Sequence, residues 1–235
     1  ELLAHYGVDH LIIHPFTREF SRLGSVEFIR DVLVNQLQIK KLVIGYNHHF
    51  GRNREGSLEH LLECGPVYGF EVEEIPAADI DKVNVSSTKI RKALHDGDLS
   101  TAKSYLGHDY NLAGVVVKGE GRGTDIGYPT ANIKVENPMK LIPANGVYAA
   151  LITLRTQYQA MMNIGVRPTV SGNTDMAERT IEINIFDFDQ DIYGEPARVT
   201  MTDKIRDEVK FDSVKELASQ LAADKDSALN LLNTS

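Results

Sequence analysis

The stretch "GRGTDIGYPTAN", residues 121 to 132, gathers glycines, hydroxyls and an amide in the way phosphate chemistry uses them. Pro129 fixes one backbone dihedral, and Thr130 and Asn132 then stand two residues apart. On extended backbone that spacing points both side chains to one face. A hydroxyl and an amide oxygen side by side are hard-cation ligands that suit Mg²⁺. Lys118 and Arg122 stand nearby as cations for phosphate. Gly119, Gly121 and Gly123 would let the backbone approach a ligand closely. The alternative is a hairpin turn in which Thr130 and Asn132 bond their own backbone. Nothing matches G-x-x-x-x-G-K-S/T, so a P-loop is not the device.

Glu182 is the next chemical candidate. In "RTIEINIFDF" strand alternation puts Ile181, Ile183 and Ile185 on one face and Glu182, Asn184 and Phe186 on the other. Glu182 is then either an acid on a wet strand face or a general base that takes a proton from a hydroxyl. Upstream, "SSTKIR" opens a helix with Ser86, Ser87 and Thr88 and sets Arg91 one turn in. That arrangement suits phosphate as well as a plain capped helix. His48 and His49 are adjacent, point apart on a strand, and make a poor metal pair.

These residues need elements to hold them. The first half alternates strand and helix. "VDHLIIHPF" (8–16) reads as a buried strand, and 25–38 as a helix with Val26, Ile29, Leu33 and Leu37 on one face. "KKLVIGYNHHFG" (40–51) is a strand running into a loop. Residues 56–69 form a helix expected to stop at Gly65-Pro66, and 70–77 form a strand. That order predicts a parallel α/β sheet, with ligands at the carboxyl ends of its strands. Residues 86–107 are helical with a break at Asp96-Gly97, are capped by Ser87 or Thr88, and link two domains. From about residue 109 short strands dominate, at 112–119, 131–136, 146–154, 157–165, 180–188 and 197–205. They predict an antiparallel barrel or sandwich, closed by an amphipathic helix over 213–233.

Composition sets outer bounds. The 235 residues fit one large or two ordinary domains, and 42% hydrophobic content is enough for a core. No apolar run reaches the roughly 20 residues of a spanning helix, and no secretory signal opens the sequence. A net charge of −8 argues against a nucleic-acid partner, which would normally meet a basic face. The lone Cys64 reads as a small buried hydrophobe and fits a reducing cytoplasm. Oligomeric state is not legible.

Several motifs in order resemble the bacterial bifunctional riboflavin kinase/FMN adenylyltransferase (FAD synthetase) family. "GRGTDIGYPTAN" is similar to its kinase signature, centred on P-T-A-N. "IPANGVYAA", "NIGVRPTV", "TIEINIFDFDQDIYG" and "KIRDEVKF" resemble its later kinase motifs. "VIGYNHHFG" and "VSSTKIRKAL" resemble the second half of its nucleotidyltransferase domain. The resemblance implies a Rossmann-like α/β nucleotidyltransferase domain over 1–107. A six-stranded antiparallel barrel with a C-terminal helix would follow over 108–235. It implies conversion of riboflavin to FMN with ATP and Mg²⁺, FAD being the product of the full-length enzyme. Thr130 and Asn132 would bind metal and phosphates, and the loop from Gly119 to Gly123 would close over the nucleotide. Glu182 would take the proton of the ribityl 5′-hydroxyl, and Tyr148 and Arg206 would contact the flavin.

One departure carries weight at this stage. The family's adenylyltransferase begins with a G-x-F-D-G-x-H-x-G-H loop, and nothing in this sequence matches it. The expectation is a kinase in which adenylyl transfer is lost, with Asn47, Ser86, Ser87, Thr88 and Arg91 as remnants of the second site. Two alternatives stay open. One is the complete bifunctional enzyme with its first segment outside this sequence; the other is a flavin-binding or regulatory protein without turnover.

Overall fold

A computed structural model describes residues 2–45, 47–76, 79–80, 83–119, 123, 127–167 and 178–234. The chain divides into two compact units, Glu1–Ala78 and Asp79–Ser235.

The first unit opens with a single helical turn, α1 (Leu2–His5). A short α2 (Ser25–Glu27) runs into a π-helix over Phe28–Gln36. Next come strand β1 (Lys41–Gly45), helix α3 (Leu58–Tyr68) and strand β2 (Glu71–Ile75). β1 and β2 pair in parallel, Lys41 opposite Glu71, as the alternation of strand and helix requires. Ile29, Leu33, Ile44, Leu61 and Phe70 form the core.

Three local expectations need correction here. Residues 8–16 form no strand, and Leu11, Ile12, Ile13 and Phe16 are exposed. An apolar run becomes a strand only where a neighbour takes its N–H and C=O groups, and the described sheet of this unit holds β1 and β2 alone. The helix over 28–36 is π-wound, with Leu37 N–H donating to Val32 C=O over 2.9 Å. The wider winding breaks the 3.6-residue face, so Ile29 and Leu33 are buried while Val26 and Leu37 are exposed. Helix α3 passes through Pro66 and ends at Gly69, in the left-handed region at φ 77°. Gly69 supplies that conformation without a steric cost.

The second unit begins with a short antiparallel pair, β3 (Asp79–Ile80) and β4 (Val83–Asn84). Helices α4 (Ser87–Asp96) and α5 (Leu99–Leu106) follow, with the break where Asp96-Gly97 predicts it. The N-cap of α4 is Ser86, whose Oγ accepts from Lys89 N–H, rather than Ser87 or Thr88. Ala93, Leu94, Leu99 and Ala102 are buried with the barrel core, so these helices pack within the second unit.

The barrel strands are β5 (Tyr110–Val117), β6 (Ala131–Val135), β7 (Gly146–Thr153), β8 (Gln157–Arg167), β9 (Glu178–Ile185) and β10 (Pro196–Arg206). They close in the order β10-β5-β6-β9-β8-β7 with antiparallel pairing throughout, which resolves barrel against sandwich. Every second residue points inward: Leu112, Val116, Ile133, Ile181, Ile183 and Val199 fill the interior. Helix α6 (Val214–Thr234) lies outside, against β7, β8 and β10. Its Ala228 and Leu221 cover Ala149, Met161 and Phe186 on the outer face. That cover explains why β7 is apolar on both sides.

Candidate active site

Strand register builds the site. Asn132 on β6 stands opposite Glu182 on β9, and Glu182 stands opposite Asn163 on β8. Asn163 faces Val147 on β7, and Val147 faces Arg206 on β10. Directly opposed residues of an antiparallel pair share a face. One row therefore crosses five strands on the outer face of the barrel. A bulge between Lys204 and Arg206 brings Arg206 into that row.

A hollow of about 320 Å³ opens over the row. Glu182, Asn163, Thr130 and Arg206 give it polar groups; Tyr128, Met161, Phe211, Leu217 and Leu221 give it apolar walls. A second hollow, about 450 Å³, is walled by Ile183, Ile185, Phe188 and Tyr193. Thr130 lines both. A third, about 630 Å³, holds Lys118, Gly119 and Asn132 beside Lys134, Lys140 and Arg179. Burial pulls the Lys140 ammonium below its usual range, helped by the charge of Arg198.

The glycines at 119 and 123 are dictated by close approach. A Cβ at Gly119 would stand 2.1 Å from Asn132 Nδ2, and one at Gly123 would stand 2.1 Å from Tyr128 O. A side chain at Gly123 would push against the Tyr128 backbone, two residues before Thr130, and one at Gly119 would displace the Asn132 amide. Gly121 and Arg122 lie outside the described residues.

Arg206 is held from behind. Its Nε and Nη2 donate to Asp224 on α6 over 2.9 and 2.7 Å, and Gln220 donates to the same carboxylate. Phe211 lies against its guanidinium, 5.7 Å from ring centre to carbon.

Tyr148 is not among the residues that line the hollow. Its side chain points into the barrel, is fully buried, and donates its hydroxyl to Ala144 C=O. Burial pushes the phenol up to about 12. Neighbouring strand residues face opposite ways, so with Val147 on the hollow Tyr148 is turned from it. The Ser86, Ser87, Thr88 and Arg91 set heads α4 in the second unit, where Arg91 Nη1 donates to Ser87 Oγ over 3.3 Å. Asn47 is exposed in the turn after β1 of the first unit.

Three residues escape a reading of the sequence. Asn163 sits in the quoted "NIGVRPTV", but only register places it beside Glu182. Asp224 reads as one more charge on an amphipathic helix, yet it is 1% exposed. Asn184 reads as a strand-face amide equivalent to its neighbours. It is buried, and its Nδ2 donates to Pro129 C=O over 2.7 Å.

Comparison with known proteins gives two family matches in succession, with a boundary later than that of the two units. The family model described as riboflavin kinase matches residues 106–232, and that described as FAD synthetase matches residues 1–89. A bifunctional riboflavin kinase/FMN adenylyltransferase of Escherichia coli (strain K12) is 37% identical over 225 residues, 95% of this chain and 70% of the relative. Its counterpart in Haemophilus influenzae is 36% identical over 229 residues, 97% of this chain and 72% of the relative. A crystal structure described as a macrolide-efflux protein from Streptococcus pneumoniae superposes with a TM-score of 0.87 at 37% identity. That likeness covers 97% of this chain and 72% of the other. Its description speaks of efflux, whereas both family models and the curated relatives speak of flavin chemistry. Among the described residues no helix is long and apolar enough to cross a membrane.

Proposed function

The chain belongs to the bifunctional riboflavin kinase/FMN adenylyltransferase family, and from that premise we propose how its barrel turns riboflavin into FMN. The first hollow takes riboflavin, because it combines apolar walls with Glu182. The second takes the nucleotide base, because Phe188 and Tyr193 give a flat heterocycle its walls, and the phosphates meet Thr130 together with Asn132, Gly119 and Lys118 of the third hollow. The ribityl 5′-hydroxyl oxygen attacks the γ-phosphorus, the bond to the β,γ-bridging oxygen breaks, and ADP leaves. Glu182 accepts the hydroxyl proton on a carboxylate oxygen. The observation that carries this reading is the cross-strand pairing of Asn132 with Glu182, with Thr130 shared by the two hollows.

The donors fit Mg²⁺ that arrives with a nucleotide. A threonine hydroxyl and an asparagine amide two residues apart offer hard oxygens, and phosphate oxygens would complete the set. Bound there, the ion would neutralise phosphate charge. Thr130 and Asn132 orient the phosphates, Gly119 and Gly123 keep the backbone close to them, and Lys118 adds positive charge. Arg206, fixed by Asp224, sits beside the flavin.

The test is direct. The full chain with riboflavin, ATP and Mg²⁺ should yield FMN and ADP in equal amounts, resolved by chromatography. A folded chain that binds riboflavin but forms no FMN overturns the reading.

A further inference from the structure

The ladder between β6 and β9 runs through Asn132↔Glu182 and Ala131↔Ile183 and stops. One register step further, Thr130 would stand opposite Asn184. There the chain leaves the sheet, and a side chain replaces the ladder: Asn184 Nδ2 donates to Pro129 C=O over 2.7 Å. Asn184 is 7% exposed, on the same face of β9 as Glu182 and two residues from it. It also lines the first hollow.

This bond fixes more than one oxygen. The peptide unit is planar, so holding Pro129 C=O also holds Thr130 N. The proline ring fixes the dihedral before it. Asn184 is buried and stands opposite Met161 of β8, itself 4% exposed, so water is a poor substitute for the lost partner. We propose that Asn184 is a positioning residue for phosphoryl transfer, tying the peptide that carries Thr130 to the strand that carries Glu182. The proposal rests on the roles given above to Thr130 and Glu182. Reacting groups held by two separate segments need such a tie, because small displacements at a transfer site are costly in rate.

The experiment uses the full chain with Asn184→Asp, Thr130→Ala and the double variant. Asn184→Asp keeps the shape, removes the donor, and turns an acceptor toward the Pro129 carbonyl. The readouts are kcat, ADP affinity with Mg²⁺ by calorimetry, riboflavin affinity by fluorescence, and the thermal midpoint. Asn184→Asp should lower kcat by about 10- to 100-fold and weaken ADP·Mg²⁺ binding by a larger factor than riboflavin binding. In the Thr130→Ala background it should add little, because both act through one group. Multiplying effects beside a clear Thr130→Ala defect overturn the proposal alone. Unchanged kcat and nucleotide affinity with only a lower midpoint also overturn it. A Thr130→Ala protein that behaves as the parent overturns the role of Thr130, and the proposal with it. Should Asn184→Asp not fold, Asn184→Ala removes the donor without adding charge and must show the same pattern.

Discussion

Arg206 and Asp224 form a two-pronged ion pair, with Nε and Nη2 of the arginine on the two oxygens of a carboxylate that is 1% exposed. The pair joins the last barrel strand to α6, and the same helix supplies Leu217 and Leu221 to the first hollow. A fold contact and a site contact are thus one contact. Asp224→Ala leaves the guanidinium without its charge partner, and breaking a buried pair from one side costs about 3–5 kcal/mol. The expected outcome is a lower thermal midpoint together with weaker riboflavin binding, read by calorimetry and flavin fluorescence. ADP affinity should change much less. Equal losses for both ligands would mean that α6 does not wall the flavin side alone.

Glu182→Gln keeps size and much of the hydrogen bonding but removes basicity. General-base catalysis contributes roughly 10²- to 10⁴-fold, so kcat should fall by that order while riboflavin and ADP still bind. Steady-state kinetics beside fluorescence titration check it. A variant that retains most of kcat and the acid limb of the pH–rate profile would place the base elsewhere.

How far the sequence goes can be judged from single residues. Alternation in "RTIEINIFDF" sorts Ile181, Ile183 and Ile185 from Glu182 and Asn184, because period-2 patterning is local and the barrel honours it. It cannot show that Asn184 is buried and donates to Pro129 C=O, because that contact spans 55 residues of sequence. Thr130, Asn132 and Glu182 are each legible as types, but their meeting depends on the pairing of β6 with β9, a non-local contact. Residues 8–16 carry a strand-like run without a described pairing partner, and propensity alone forms no strand. Tyr148 illustrates the converse. Its motif is informative, yet one residue of register turns it from the hollow to the core.

Two phenols give a pH prediction. Tyr110 donates its hydroxyl to Leu141 C=O over 2.8 Å, and Tyr148 donates to Ala144 C=O. Burial pushes both up to about 12 from the ordinary 10.0. The charged form is the deprotonated one, so the folded state holds these protons more tightly than the unfolded state. Their contribution to stability is fully present below the unfolded value and is lost as pH rises through the folded one. Denaturant midpoints should therefore fall between about pH 10 and 12. Over that range tyrosinate absorbance of the folded protein should lag that of the unfolded chain. Tyr148→Phe should remove part of the lag. Superimposed folded and unfolded titrations would overturn the assignment.

Thr130 separates a structural turn from a ligand. If the residue only shapes the turn, Thr130→Val preserves β-branching and bulk and should keep activity, because the backbone preference is unchanged. If its hydroxyl orients the nucleotide phosphates, Thr130→Val should lower kcat by about 10²-fold, whereas Thr130→Ser should retain most of it. The two substitutions divide shape from oxygen: valine keeps the shape without the oxygen, and serine keeps the oxygen without the shape. The ligand role adds a dependence that a turn cannot produce. Thr130→Val should need more Mg²⁺ for half-maximal rate and should weaken ADP binding only when Mg²⁺ is present. Rates measured across a Mg²⁺ series, with calorimetry of ADP with and without the ion, decide the matter. Full activity for the valine variant beside a weak serine variant would return Thr130 to the turn. It would leave Asn132, opposite Glu182, as the residue to test next.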